Sequence, residues 1–122
     1  DVQIGWWDLS VVLREVGEIF RRQLRETDTT ARYGGEEFVA LLPETSIEIA
    51  TSIGERLRQA VRSHEFALPG NRTISISISI GAASATGKTI EPDELIRRAD
   101  NALYRAKAAG RDRVVTDGPA SA

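Results

Sequence analysis

No cysteine occurs among the 122 residues, which excludes a disulfide framework, a thiolate metal site and a cysteine nucleophile. Histidine occurs once, at His64, so neither a Ser-His-Asp hydrolase nor a His-rich metal centre is supported. Neither sign of charge dominates: 16 Lys and Arg against 18 Asp and Glu give a formal net charge of −2. Such a chain lacks the broad basic field of a duplex-binding protein, and no nucleic-acid polymer is expected as a partner. The longest apolar runs fall far short of the ~18 residues that a membrane span needs, and no signal peptide is visible. Direct membrane insertion is therefore not expected, and the reading is a cytoplasmic domain. What is present is ordinary for a globular chain, with 41% hydrophobic and 28% charged residues. The length suits one domain at about 100–200 residues each, expected over residues 1–116 with 117–122 as a flexible tail.

Residues 9–26 place Val12, Val16, Ile19, Phe20 and Leu24 at helical spacings with charges between them, an amphipathic helix with one buried stripe. Thr30 to Tyr33 and Phe38 to Leu42 are β-prone runs on either side of Gly34-Gly35, the pattern of a hairpin. Ser46 can cap a second helix over 47–64, with Ile49, Ile53, Leu57 and Val61 at four-residue steps. Over 71–85, isoleucines 74, 76, 78 and 80 alternate with serines 75, 77 and 79, a strand of strict period two. Its serine face either lies open beside a sheet with helices on one side or leaves space for a ligand or partner. A third helix is expected over 92–109, with Pro92 in its first turn and Gly110 just past its end. Val114-Val115 would close the fold. The order α-β-β-α-β-α-β predicts an α+β two-layer sandwich with a mostly antiparallel sheet.

The chemistry-bearing segment is Arg32-Tyr33-Gly34-Gly35-Glu36-Glu37-Phe38. Adjacent carboxylates at a hairpin tip can converge on a hard divalent cation, and the glycines let backbone approach a phosphate or base. On these residues alone, a solvated charged hairpin is the competing reading.

The flanks add to it. Leu13-Arg14-Glu15-Val16, Arg32 to Phe38, Pro43-Glu44-Thr45, Ile76 to Gly81 and Arg98 to Lys107 followed by Gly110-Arg111 occur in this order. Together they resemble the GGDEF family, the diguanylate cyclases, in its GGEEF form, from Leu13 onward. The resemblance implies a ferredoxin-like core of the nucleotide-cyclase palm type, with the GGEEF motif on a β-hairpin. It implies condensation of two GTP into cyclic di-GMP and pyrophosphate across a homodimer, one GTP per domain, with Mg2+ as cofactor. Glu36 would then be a Mg2+ ligand and the base for the attacking 3′-hydroxyl, and Glu37 a further metal ligand. Gly34 and Gly35 would lie against the nucleotide, and Lys107 and Arg111 would hold its phosphates. Lys107 and Arg111 taken alone also read as a cationic helix end. Arg25-Glu26-Thr27-Asp28 reads RxxD, which in this family marks a product-binding inhibitory site, with Arg56 completing it. The family further implies an upstream sensor or receiver domain.

The N-terminal residues depart from the pattern. Family members carry an earlier strand with DxDxFK, whose first aspartate is the other metal ligand, and this chain starts after it. Counting back from Leu13 places Asp1 and Ser10 where an asparagine and an aspartate read the guanine edge. Loss of that strand would leave a sheet edge open to pairing with another chain. The alternative function is accordingly a catalytically impaired domain that binds cyclic di-GMP or GTP.

Overall fold

The computed structural model describes residues 6–34, 37–85 and 91–117. In chain order they form α1 (Trp6–Gln23), β1 (Thr29–Gly34), β2 (Glu37–Leu41), α2 (Ile47–Arg62), β3 (Phe66–Leu68), β4 (Arg72–Ile74), β5 (Ile80–Ala82), α3 (Pro92–Ala108) and β6 (Val114–Thr116). The strands pair as two antiparallel hairpins, β1–β2 and β3–β4, and one parallel pair, β5–β6, joined through α3. That last connection is the helical crossover that parallel strands require.

The core forms where the helical stripes meet. Val12, Val16, Ile19 and Phe20 of α1 pack with Ile53, Leu57 and Val61 of α2 and with Phe66, Leu68 and Ile74 from β3 and β4. Val61 and Phe66 are wholly buried, each contributing about 1.5–3 kcal/mol of apolar burial. Ser46 caps α2, accepting from the Ile49 N–H at 3.2 Å. Ile49 itself is exposed, because a four-residue step drifts about 40° around a helix of 3.6 residues per turn. The sole histidine, in the connection from α2 to β3, reaches α1: its Nε2 lies 3.0 Å from Glu15, and its ring meets Phe66 edge-on.

Three expectations need correction. α1 ends at Gln23 rather than residue 26, because residues 25–28 form a turn closed by Asp28 N–H to Arg25 carbonyl and by the Asp28 carboxylate on Arg25 N–H. The run over 71–85 is not one strand. Ile76, Ile78 and Ile80 keep their alternation and pack on the core, but residues 75–79 join no ladder among the described residues. Alternation decides which face is apolar, whereas a ladder needs a neighbouring backbone. The third is β3, which the sequence pattern did not single out.

The close approach of α3 to β5 fixes the remaining geometry. Ile80 and Val114 face Gly54 of α2, while the next residue, Gly81, faces α3, since neighbouring strand residues point oppositely. A Cβ on Gly81 would collide with the Ala99 carbonyl and the Leu103 backbone. Ala102 and Ala106 are fully buried beneath the same helix. Asp117, where the tail was expected to start, is held by its N–H to Ala82 carbonyl at 2.7 Å and by Arg98 at 2.6 Å; residues 118–122 lie outside the described residues. Gly81→Ala is expected to destabilise the protein by at least about 1–3 kcal/mol, as overpacking does, seen as a lower thermal midpoint. Gly17→Ala, whose Cβ would meet the Phe38 ring at an ordinary 3.5 Å, should be neutral or stabilising by up to about 1 kcal/mol. Equal midpoints for the two variants would contradict this packing.

Candidate functional site

The hairpin register runs from Thr29 opposite Leu41 to Gly34 opposite Glu37, with a shift between Arg32 and Gly34. Tyr33 is therefore the extra residue of a β-bulge, a device that re-aims side chains near sites. The final residue of the GGEEF string is the anchor of the hairpin. Phe38 packs its ring edge-on against Phe20, centroids 5.4 Å apart, over Gly17 of α1. Such a pair contributes about 0.5–1.5 kcal/mol beyond burial. Because strand residues alternate, seating Phe38 on α1 turns Glu37 to the other side of β2. Gly35 and Glu36 lie outside the described residues.

Glu37 lines a cleft of about 1160 Å3 together with Phe38, Leu103, Lys107 and Arg111. Lys107 stands in the last turn of α3, and Arg111 follows in a left-handed loop. Gly110, Arg111 and Asp112 have φ of 123°, 63° and 51°. For the two non-glycine residues this costs roughly 1–2 kcal/mol each, and the loop persists because it is tied on several sides. Arg111 N–H donates to Ala106 carbonyl at 2.9 Å, Ile80 N–H to Arg113 carbonyl at 2.9 Å, and Asp112 N–H to the Ser79 hydroxyl at 3.2 Å. Neither Lys107 nor Arg111 has an acidic partner among the described residues. Glu37, Lys107 and Arg111 thus line one long cleft, whose wall also includes Val12, Val16, Phe20, Ile53 and Leu57 of the core.

Arg25, Asp28 and Arg56 also converge, at the C-terminal end of α1. The Asp28 carboxyl is buried while Arg25 remains 47% exposed. Arg25 donates to Asp28 through Nε and Nη2, and Nη2 also reaches Thr45 Oγ1 at 2.7 Å. Arg56 crosses from α2 to Gln23, donating through Nη2 to the backbone carbonyl at 2.6 Å and through Nε to Oε1 at 3.1 Å. Its charge also favours the ionised Asp28. Thr45 and Gln23 were not marked as site residues by the sequence. Thr45 lay within the Pro43-Glu44-Thr45 match, the one signal that pointed to it. Ser10, at a guanine-reading position by count, lines a smaller hollow with Arg14 and Arg32; Asp1 lies outside the described residues. Also among the described residues, no three His, Asp or Glu side chains converge as a metal site.

The family model for the diguanylate cyclase GGDEF domain matches residues 10–113. The chain belongs to the GGDEF diguanylate cyclase family. It is 40% identical over 105 residues to the response regulator PleD of Caulobacter vibrioides, covering 85% of this chain and 23% of PleD. It is 40% identical over 104 residues to diguanylate cyclase A of Treponema denticola, covering 85% of this chain and 28% of that protein. The GGDEF domain of DgcB from Caulobacter crescentus, solved in complex with c-di-GMP, superposes with a TM-score of 0.78 at 31% identity. That match covers 87% of this chain and 63% of the DgcB chain. This GGDEF chain therefore spans less than a third of those two curated relatives. The neighbours support the expected α+β cyclase-palm fold. No helix among the described residues is long and apolar enough to cross a membrane.

The Arg25 hydrogen bonds hold the Asp28 carboxyl below the usual aspartate range, and Arg58 followed by Gln59 draws Glu55 down to about 2. A carboxylate depressed by folding stabilises the native state above its unfolded pKa, near 4, and loses that contribution as pH falls through its folded value. The denaturation midpoint is thus expected to be level from pH 7 to about 5 and to fall below about 4. Asp28→Asn should remove part of that acid limb. A stability that rises on acidification would contradict the assignment.

Proposed function

We propose that this chain is the catalytic domain of a diguanylate cyclase, joining two GTP into cyclic di-GMP with release of two pyrophosphates. The observation that carries the reading is the shared cleft, which Glu37 of the hairpin lines together with Lys107 and Arg111 of the α3 end. Phosphoryl transfer needs positioning and charge compensation more than covalent chemistry, and these side chains supply it. Lys107 and Arg111 bind the phosphates of one GTP. The glycines at 34 and 35 let the hairpin backbone lie against the nucleotide. Glu36 takes the proton of the attacking 3′-hydroxyl as its oxygen bonds to the α-phosphorus of the partner GTP and the bond to pyrophosphate breaks. One domain holds one GTP, so the ring closes only when two copies face each other with the roles exchanged. An upstream sensor or receiver domain would set that pairing.

The donor chemistry fits a hard cation. The site offers carboxylates, the chain has no cysteine, and its single imidazole is engaged with Glu15. Mg2+ would be held by Glu36 and Glu37, and when bound it neutralises phosphate charge. Arg25, Asp28 and Arg56 form the feedback site for cyclic di-GMP: the guanidinium groups contact phosphate or stack on guanine, and the carboxylate accepts from a guanine edge. A second reading, a domain that binds nucleotide without turnover, is favoured by Ser10 at a guanine-reading position.

Incubation with GTP and Mg2+ and chromatographic measurement of cyclic di-GMP tests the proposal. Glu36→Gln is expected to abolish product formation with an unchanged circular-dichroism spectrum; retained turnover removes Glu36 from the mechanism. Arg25→Ala should relieve product inhibition, and unchanged inhibition contradicts the feedback site. Binding of cyclic di-GMP without turnover by the wild-type protein supports the second reading.

A further inference from the structure

The turn that carries Arg111 is fastened from outside the cleft. Asp112 follows Arg111 in the left-handed run, and its carboxylate receives Nη1 of Arg58 on α2 at 2.8 Å. Arg62 Nε stands 3.6 Å from the other carboxylate oxygen. The Arg58 side chain is only 15% exposed. Its opposite edge is gripped by Glu55, one helical turn earlier, through Nε at 2.9 Å and Nη2; Gln59 in turn donates to the Glu55 carboxylate at 3.0 Å. Glu55 thus orients Arg58, and Arg58 restrains Asp112. The Asp112 backbone N–H is meanwhile held by Ser79. Two residues in a strained conformation are clamped between α2 and the segment leading into β5.

We infer that Arg58 is a positioning residue for phosphate binding: through Asp112 it holds the turn that keeps Arg111 at the cleft with Lys107. This rests on the reading of Lys107 and Arg111 as phosphate contacts. Arg58 is not among the residues lining that cleft, so it acts on the ligand through the loop. Asp112 keeps 35% of its side chain exposed, so water can replace the Arg58 donor there, and an ion pair screened in this way adds little to global stability. With Arg58 gone, the Asp112 carboxylate keeps, among the described residues, only the Arg62 contact at 3.6 Å, and the loop's own conformational preference works against the ties that remain. The consequence of losing Arg58 therefore falls on Arg111 more than on the fold.

Calorimetric titration of the whole chain with GTP and with GMP, in the presence of Mg2+, tests this. Arg111→Ala is the reference and should weaken GTP more than GMP. Arg58→Gln is expected to weaken GTP by about 3–10-fold, the equivalent of one modest ion pair, and to leave GMP within about twofold. In an Arg111→Ala background Arg58→Gln should add nothing further. Asp112→Asn, which keeps an acceptor and tolerates the left-handed turn, should give a smaller loss of the same kind. If Arg111→Ala weakens GTP but Arg58→Gln and Asp112→Asn do not, the positioning role is wrong. Equal weakening of GTP and GMP, or additive effects with Arg111→Ala, would equally overturn it in favour of a general structural role. If Arg111→Ala leaves GTP affinity unchanged, the phosphate reading itself falls.

Discussion

The approach of α3 to β5 across Gly81 is the constraint on which the site depends. A residue without a Cβ lets the Ala99–Leu103 turn lie directly on the strand, and the buried Ala102 and Ala106 continue the contact. With α3 seated there, its final turn must bring Lys107 to the cleft, and the chain must reverse sharply to enter β6 beside β5. The left-handed run at 110–112 is that reversal. On the other face of the same strand pair, Gly54 admits Ile80 and Val114 to α2. Two glycines on opposite faces thus set how closely both helices approach β5 and β6.

The two charged constellations are built differently. At the cleft, Lys107 and Arg111 have no acidic partner among the described residues, as suits groups that meet a polyanion. At the end of α1, Arg25 and Asp28 are already joined and braced by Thr45. There the preformed pair fixes the guanidinium plane, and its exposed half is what a ligand would meet. Arg56 fills two roles, satisfying the final carbonyl of α1 and adding positive charge near Asp28. Preorganised cations of this kind lose less rotamer freedom on binding than free ones.

Much of this arrangement was legible in the sequence, because its signals are local. The Ser46 cap, Pro92 in the first turn of α3, Gly110 beyond its end and the paired runs around Gly34-Gly35 each depend on neighbouring residues only. The buried stripe of α1 followed from spacing, with Val12, Val16, Ile19 and Phe20 in the core. What escaped was non-local. Residues 75–79 keep their alternation, yet strand assignment turns on a neighbour that composition does not reveal. α1 stops early because the Asp28 side chain captures a backbone N–H. The three residues of β3 are too few to show a period. The Arg58–Asp112 bond joins positions 54 apart, a separation at which pattern carries no information.

The proposed chemistry requires hairpin carboxylates and α3 cations to act on one nucleotide in one cleft. Titration of GTP with and without Mg2+ addresses it most directly, with Glu37→Gln and Lys107→Ala for comparison. Mg2+ is predicted to tighten GTP binding in the wild-type protein. That enhancement should shrink in Glu37→Gln, which leaves Glu36 as the remaining hairpin ligand, while Lys107→Ala weakens GTP and retains the enhancement. GTP binding indifferent to Mg2+, or unaltered by both substitutions, would contradict the account.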